Sequence, residues 1–424
     1  MISIFILSVI MQLIIASPIN RQNFTDRGTG CRSINAENYD RRKRDIIQDD
    51  YDRWEFPIHY YIEYNDFDYY DYFFLFVQNL LEAIKIIEEN TCVKFKRSWI
   101  PIKDKQGLNF IYDHYSCSSN VGLIDPTKSQ EIRLTADCYC HKAYILHEIG
   151  HALGLIHEQS RSDRDKYVNV KFDNINNKEH SNFRRFNFST NKNYSTSYDF
   201  ASIMHYHQND FAVNKDEPVL TSKLNNAFNK MMGQRLKMTF NDFKKINLYH
   251  CNKCYWVDKD GKRNKTYKGT TCRNGSYPNY NNCNNKCICP IGYTGDLCQN
   301  IVSSSTECGK TTFYAEKFSQ NLFFKDRMTC YIFIMTERRK KIKIKIHFSN
   351  TPRKTICTED ISNQIKYGKD KGNTGLLLCG LHNKKISLKS GSNSVLIIYR
   401  GSSQDSGLTL TYQQFNRNTN PKKS

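Results

Sequence analysis

The chain has 424 residues, a length that predicts two or three domains and supports one large core with smaller modules. It carries 62 Lys and Arg residues against 42 Asp and Glu residues, which gives a net charge of +20. Residues 301 to 424 hold 22 basic and 8 acidic side chains, a balance of +14. No apolar stretch beyond residue 17 is long enough to cross a bilayer, which excludes a protein with several membrane spans.

The first 17 residues are apolar and end in Ala16 and Ser17, so they predict a secretory signal peptide. A membrane anchor is the alternative, although the run is short for a span and contains Gln12. Sixteen cysteines behind such a segment indicate disulfides formed in an oxidising, extracellular compartment. Five acceptor sites for N-glycosylation agree with secretion, at Asn23, Asn187, Asn193, Asn264 and Asn274.

The basic charge favours an anionic partner. Because a secreted protein seldom meets nucleic acid, we expect no nucleic-acid ligand, and an anionic glycan or acidic matrix becomes the candidate. The alternative is a solvated basic surface without a ligand. Further along the chain, the tetrapeptide at residues 41 to 44 fits the R-x-[KR]-R pattern of furin-like convertases, which makes residues 18 to 44 a candidate propeptide. An incidental basic loop is the other interpretation.

The next elements follow from hydrophobic periodicity. Residues 72 to 90 place apolar side chains at helical spacing and predict a long helix that faces the core. Strand-like runs stand at residues 108 to 112 and 131 to 134. A second helix is predicted from about residue 141 to 153, and residues 173 to 198, rich in Asn and Ser, predict a long loop region.

The second helix carries the chemistry, in the pattern H-E-x-x-H-x-x-G-x-x-H. His147 and His151 are four residues apart, so both imidazoles project from one helix face. Gly154 can take a positive φ angle, which lets the chain turn and bring His157 back. Three neutral imidazoles and one water form an open catalytic zinc site with one ion per subunit, and Glu148 is placed to take the proton of that water. The alternative is a core helix with surface histidines.

The flanking residues resemble the astacin zinc metalloproteases. Residues 157 to 165 resemble the family's H-E-x-x-R-x-D-R-D continuation, and residues 202 to 206, Ser-Ile-Met-His-Tyr, look like its Met-turn. The resemblance spans roughly residues 45 to 251. It implies that Met204 forms an apolar floor below the zinc. It implies that Tyr206 is an additional zinc ligand that swings away on substrate binding and stabilises the oxyanion.

The resemblance also implies an activation step. The segment around Trp54 follows the basic tetrapeptide closely, as it does after the activation cut in astacins. The freed amino group of Asp45 is then expected to pair with Glu158, since a buried carboxylate needs a partner; a surface position for Glu158 is the competing interpretation. The family's usual F-x-G-D block is absent from residues 18 to 44.

Residues 252 to 299 form a six-cysteine module whose end, C-x-C-P-x-G-Y-x-G-x-x-C, resembles an EGF-like domain. Residues 300 to 415 contain four cysteines and runs with period-two alternation, such as residues 342 to 348, and resemble a CUB domain, a β-sandwich. We expect this basic domain to bind anionic surfaces and to be dispensable for catalysis. Residues 416 to 424 are a basic tail.

The resemblances imply most of the disulfide pairing: Cys92–Cys251, Cys254–Cys283, Cys272–Cys287, Cys289–Cys298, Cys308–Cys330 and Cys357–Cys379. Cys117 is expected to pair with Cys138 or with Cys140, and one of these two is left over. Cys31 in the candidate propeptide either forms a disulfide with the one left over, ligates zinc as a thiolate, or stays unpaired or forms an intermolecular bond.

Taken together, the sequence predicts an α+β fold: a two-lobed metzincin protease domain with an active-site helix, then a small disulfide-rich EGF-like module and a CUB-like β-sandwich. The expected function is a secreted zinc endopeptidase acting on proteins or peptides, including those of extracellular matrix or cuticle. The alternative is a secreted binding or adhesion protein with a vestigial protease domain.

Overall fold

Five strands open the fold of the computed structural model, which describes residues 53 to 63, 70 to 186 and 192 to 416. They are β1 (Ile58–Ile62), β2 (Phe95–Arg97), β3 (Gly107–Tyr112), β4 (Ser118–Ser119) and β5 (Ser129–Leu134). The sheet order is β2-β1-β3-β5-β4, with every pair parallel except β4 and β5. The runs predicted at residues 108 to 112 and 131 to 134 lie within β3 and β5.

Three helices accompany this sheet: α1 (Tyr70–Asn90), α2 (Ala136–Tyr139) and α3 (Lys142–Ala152). The long helix predicted at residues 72 to 90 is α1, and the one predicted at about residues 141 to 153 is α3. Apolar side chains from both helices and the sheet share one core, which includes Leu80, Ile87, Leu108, Phe110, Ile132, Leu146 and Ile149. The sheet and α1 therefore form a rigid support for α3.

The second lobe, residues 153 to 251, has little regular structure. Strands β6 (Val168–Val170) and β7 (Leu220–Ser222) pair antiparallel, and helix α4 (Phe240–His250) closes the lobe. A capping box starts α4, because Thr239 and Asp242 each accept from the other's backbone amide.

The long loop region predicted at residues 173 to 198 contains no α-helix or strand in its described residues, but it does contain short 3-10 turns. Two 3-10 helices lie there, Phe172–Asn174 and Asn177–Phe183. The side chain of Asn176 accepts from the amide of Lys178 and so starts the second one. The same Asn residues that favour loops can cap short helices, which is why composition alone missed these turns.

The disulfide-rich module contains two small antiparallel pairs. Strand β8 (Tyr277–Asn279) pairs with β9 (Asn282–Ile288), and β10 (Tyr293–Thr294) pairs with β11 (Asn300–Ile301). The module's own apolar core is small, so its three disulfides contribute much of the stability of its fold.

The C-terminal domain is a β-sandwich of a five-stranded and a four-stranded sheet, in the orders β12-β14-β19-β16-β17 and β13-β20-β15-β18. Its strands are β12 (Thr312–Tyr314), β13 (Gln320–Lys325), β14 (Thr329–Met335), β15 (Lys340–Asn350), β16 (Asn363–Lys366), β17 (Leu376–Leu378), β18 (Ile386–Lys389), β19 (Ser394–Arg400) and β20 (Gly407–Asn416). The alternating residues 342 to 348 lie in β15, where Ile342, Ile344 and Ile346 are buried and the lysines between them face outward.

Seven disulfides join described cysteines: Cys92–Cys251, Cys117–Cys138, Cys254–Cys283, Cys272–Cys287, Cys289–Cys298, Cys308–Cys330 and Cys357–Cys379. They are the pairs that the resemblances imply, with Cys138 rather than Cys140 bonded to Cys117. Cys140 is disulfide-bonded too, although it belongs to none of these seven pairs. Cys31 lies outside the described residues.

The sandwich packs directly on the second lobe of the N-terminal domain. Phe228 and Met231 of that lobe share one apolar core with Leu376 and Leu377 of the sandwich. The amide of Leu377 also donates to Sδ of Met231 at 3.4 Å. The two domains are therefore joined by a continuous buried core.

In the described part of the chain, no helix has the length and apolar character needed to cross a membrane.

Candidate metal centre

Helix α3 carries two of the three histidines into the interior. Nine of its residues are buried, from Ala143 to Ala152. His147 and His151 point to the same side and are almost completely inaccessible to solvent. The indole nitrogen of Trp54 donates to the carbonyl of Ala152 at 2.8 Å, which fixes the end of the helix to the segment before β1.

The turn after α3 returns the third histidine. Gly154 has a φ of +95°, in the left-handed region that favours glycine. The chain then reverses, and Nε2 of His157 lies 3.0 Å from Nε2 of His151. One nitrogen from each of His147, His151 and His157 lies within 4.8 Å of the other two. The structure thus brings together the three histidines that the spacing predicts.

Backbone carbonyls set the tautomers of the two helical histidines. Nδ1 of His147 lies 2.9 Å from the carbonyl oxygen of Ile203, and Nδ1 of His151 lies 2.7 Å from that of Leu155. A carbonyl oxygen only accepts, so each Nδ1 carries the hydrogen and each Nε2 presents its lone pair to the centre. Lone pairs that converge in this way repel one another unless a cation lies between them. The donor set fits Zn²⁺, which takes three imidazoles in open catalytic sites.

The turn at residues 202 to 206 lies directly beneath α3. Met204 is fully buried, and its sulfur lies 3.2 Å from the point where a side-chain carbon on Gly150 would stand. A larger residue at Gly150 would push the methionine away. The amide of Glu158 donates to the carbonyl of Met204 at 3.0 Å, which connects this turn to the residue after the third histidine.

Tyr206 lies beside the third histidine. The centroid of its ring is 4.5 Å from that of His157, and the rings of Phe183 and Phe211 pack against its other sides at 5.5 Å. Its backbone amide donates to Oε1 of Gln159 at 3.2 Å. Glu148 is fully buried on α3, between the two histidines in sequence. Both predicted catalytic side chains are thus within the same buried region as the histidines.

The comparisons with known proteins agree with this geometry. Residues 46 to 251 match the family model of Astacin, which describes a family of peptidases. These residues form a domain of the astacin family. This domain is therefore that of a zinc metalloendopeptidase, and astacin peptidases use one zinc ion, so the predicted resemblance to the astacin zinc metalloproteases is confirmed.

The similarity to two curated relatives extends beyond the astacin domain. Zinc metalloproteinase nas-34 of Caenorhabditis elegans is 31% identical over 363 residues, which are 85% of this chain and 56% of the relative. Zinc metalloproteinase dpy-31 of Brugia malayi is 28% identical over 321 residues, 73% of this chain and 51% of the relative. The chain thus spans about half the length of these two curated relatives.

Among solved structures, high choriolytic enzyme 1, a hatching enzyme zinc-protease from the medaka fish Oryzias latipes, is 31% identical to this chain. The match covers 45% of this chain and 88% of that one, with a TM-score of 0.39.

Glu158 of the astacin domain is buried and neutralised by two cations. Lys245 lies 2.8 Å from Oε2, and Nη1 of Arg161 lies 3.2 Å from Oε1. Burial by itself would raise the pKa of Glu158, but the charges of Lys245 and Arg161 lower that pKa to about 2. Asp45, whose amino group the resemblance pairs with Glu158, lies outside the described residues. A surface position for Glu158 is wrong, because the side chain is 1% exposed.

Sequence reasoning missed two carboxylates that hold the Met-turn. Asp242 on α4 accepts from the hydroxyl of Ser202 at 2.6 Å and from the amide of Ile203 at 3.1 Å. Asp199 accepts from the amide of Ala201 at 3.0 Å, and its own amide donates to Glu158 at 2.8 Å. A signal was available for Asp199, because it is the one acidic residue in the sequence from position 180 to 209 and it stands just before the Met-turn.

Proposed function

We propose that the chain is a secreted zinc-dependent endopeptidase that hydrolyses protein or peptide substrates. The observation that carries this proposal is the convergence of three histidine nitrogens within 4.8 Å, beside the buried Glu148 and Tyr206. The match of residues 46 to 251 to the astacin family supports the same reaction class.

In this proposal the side chains divide the work. His147, His151 and His157 hold the zinc ion, which when bound acts as a Lewis acid and lowers the pKa of water. Glu148 accepts a proton from the attacking water and returns it to the leaving amine. The phenol of Tyr206 donates to the developing oxyanion, and Met204 supports the histidines from below. No covalent acyl-enzyme is needed.

Secretion and activation form the second part of the proposal. Residues 1 to 17 are a signal peptide, residues 18 to 44 a propeptide removed after Arg44, and residues 45 to 251 the protease domain. These N-terminal segments and the cut lie outside the described residues. The seven disulfides among described cysteines support an oxidising, extracellular location. Residues 252 to 299 are proposed to be EGF-like and residues 300 to 415 CUB-like.

The adhesion alternative is less favoured. It predicts that a zinc ligand or Glu148 is lost, but the three histidines and Glu148 are all present. The deciding experiment uses the full chain, secreted and processed. We expect internal cleavage of a peptide library, read by mass spectrometry of the new ends, that stops after removal of zinc by a chelator and returns when zinc is restored. A processed protein with one zinc per chain and no cleavage of any library member would favour the binding protein instead.

A basic surface on the sandwich supports an anionic glycan as partner. Alternate residues of β15 present Lys341, Lys343 and Lys345 on the outer face of the four-stranded sheet. Lys343 stands directly opposite Lys389 of β18. Like charges opposite each other destabilise a sheet, and in the described part of the chain none of these four lysines forms an ion pair. We call this set the lysine face.

A linear polyanion fits the lysine face, because the side chains repeat along the strand with the strand's own period of two residues. The test is retention on heparin. The variant Lys343→Gln/Lys345→Gln/Lys389→Gln should elute at clearly lower salt than the control Lys354→Gln/Lys384→Gln/Lys385→Gln, which removes the same charge from exposed loop positions. Equal elution of the two variants would mean that the basic charge acts only as a solvated surface.

A further inference from the structure

A loop of the sandwich lies against the segment that leads into the Met-turn. This docking loop, residues 367 to 375, joins β16 to β17. Thr374 donates to Oδ2 of Asp199 twice, from its amide at 3.1 Å and from its hydroxyl at 3.0 Å. Both residues are almost fully buried. A buried carboxylate of the astacin domain is therefore satisfied in part by donors from another domain.

The docking loop also has a carboxylate of its own, Asp370, which accepts hydrogen bonds from the astacin domain. Oδ2 of Asp370 accepts from the amide of Ser197 at 3.0 Å and from Nδ2 of Asn241 at 3.2 Å. Gly372 approaches α4 so closely that a side-chain carbon there would lie 2.9 Å from Oδ1 of Asn241. The loop thus contacts both the approach to the Met-turn and the start of α4, the helix whose Asp242 holds the Met-turn.

Two buried lysines keep the docking loop in shape. Nζ of Lys366 donates to the carbonyls of Lys371 and Asn373, each at 3.1 Å. Nζ of Lys371 donates to the carbonyls of Lys366, Gly368 and Ser394, at 3.2, 2.7 and 2.8 Å. Burying two ammonium groups is unfavourable unless they are hydrogen-bonded. The carbonyls of the loop accept from both lysines, and those of Lys366 and Ser394 on the flanking strands complete the set, so the loop has a fixed conformation.

The contacts continue to the zinc site in a few steps. Thr374 holds Asp199, whose carboxylate and carbonyl accept from the amides of Ala201 and Ser202 at 3.0 and 3.1 Å. The next residue is Ile203, whose carbonyl orients the imidazole of His147 at 2.9 Å. A shift of Asp199 therefore moves the groups that aim a zinc ligand.

We propose that the C-terminal sandwich positions the zinc site through Thr374 and Asp199, so that it is part of the catalytic unit. This inference rests on the proposed peptidase function and names Thr374 and Asp199 as positioning residues. It reverses the expectation that the C-terminal domain is dispensable for catalysis, which came from charge and composition alone.

The test is Thr374→Val in the full chain, because valine keeps the shape of threonine and removes only the hydroxyl donor. We expect a fall in kcat of roughly tenfold with KM nearly unchanged on a short peptide, since small displacements of catalytic groups cost rate rather than binding. Thr374→Ser keeps the hydroxyl and should restore kcat. Zinc per chain and the thermal unfolding midpoint are measured on each variant.

Thr351→Val is the matched control. Thr351 is also buried in the sandwich and its hydroxyl donates to the carbonyl of Leu378 at 3.1 Å, so the variant loses one hydrogen bond inside the same domain. It should lower the unfolding midpoint by a similar amount and leave kcat per zinc-loaded chain unchanged. If Thr374→Val does not fold, Asp370→Asn replaces it and should also lower kcat.

The outcomes separate this inference from the proposed function. A wild-type chain without zinc-dependent hydrolysis overturns the proposed function. An active wild type whose kcat per zinc is matched by Thr374→Val and Asp370→Asn overturns the positioning role alone.

Discussion

Nζ of Lys245 lies 2.8 Å from Oε2 of Glu158, and little of either side chain is exposed to solvent. The contact joins α4 to the residue that follows the third histidine, across 87 positions of sequence. Arg161 binds the other carboxylate oxygen. The carboxylate thus connects α4 to the segment that follows the third histidine, beside the zinc site.

Lys245→Met should destabilise the protein by about 3 kcal/mol, because breaking a buried pair leaves a buried charge with less compensation. Urea unfolding of the full chain measures the change. Lys142→Met is the matched control, since Lys142 pairs with Glu82 at 2.9 Å on the exposed surface of α3. Such surface pairs contribute at most ~1 kcal/mol. Equal losses in the two variants would show that Glu158 does not depend on Lys245.

The predictable part of the site is its local part. Because His147 and His151 are four residues apart, helix periodicity predicts that they share one face. Gly154 predicts the turn that brings His157 back to them. The contacts that aim these residues are not local. Thr374 and Asp199 are 175 positions apart, and nothing in the residue types of either segment shows that they meet. Their contact depends on how the sandwich packs on the second lobe.

The fold divides in the same way. Periodicity located α1, α3, β3 and β5 because each has a long buried face. Of the two 3-10 helices between residues 172 and 183, the first has no side-chain cap and is held by bonds from Asn174 to residues about 40 positions away, and the second is started by the single cap of Asn176. Their composition therefore predicted a loop. The docking of the sandwich depends on side chains such as Phe228 and Leu376. In the sequence these look like ordinary core residues, so they do not predict a contact between domains.

Glu148→Gln should abolish peptide hydrolysis, with a loss in kcat of about 10²-fold to 10⁴-fold, because glutamine cannot accept the proton. Zinc content should stay at one ion per chain, since the three histidines are unchanged. Turnover and metal analysis of the purified variant measure both. Glu131→Gln, at an exposed position on β5, is the control and should keep full activity. Near-normal turnover of zinc-loaded Glu148→Gln would rule out its role as general base.

Tyr206→Phe should lower kcat by about 10²-fold and change KM less, on the scale of removing one oxyanion donor. The ring remains, so its packing against His157 is preserved. Tyr277→Phe is the control, because the buried hydroxyl of Tyr277, in the disulfide-rich module, accepts from Asn247 of α4 at 2.8 Å. That variant should lose stability and keep kcat. If both variants keep kcat, the phenol of Tyr206 takes no part in the reaction.

Asp199→Asn should change how stability depends on pH. Burial and the neighbouring carboxylates of Asp242 and Glu158 raise the pKa of Asp199 from 3.8 to about 7, although the amides of Thr374 and Ala201 lower it. The folded state therefore binds this proton more tightly than the unfolded state does. The resulting stability is fully present below about pH 4 and is lost as pH rises to about 7, which for this shift is on the order of 4 kcal/mol.

Asparagine carries no titrating proton, so Asp199→Asn should gain stability relative to the wild type as pH rises from 4 to 7, and the difference should be constant above that range. Unfolding by urea at a series of pH values measures the difference between the two proteins, in which other titrating groups cancel. A difference that is flat with pH would show that the pKa of Asp199 is not raised. A difference of opposite sign would mean that the backbone donors and the nearby charge of Lys366 keep the carboxylate ionised in the folded state.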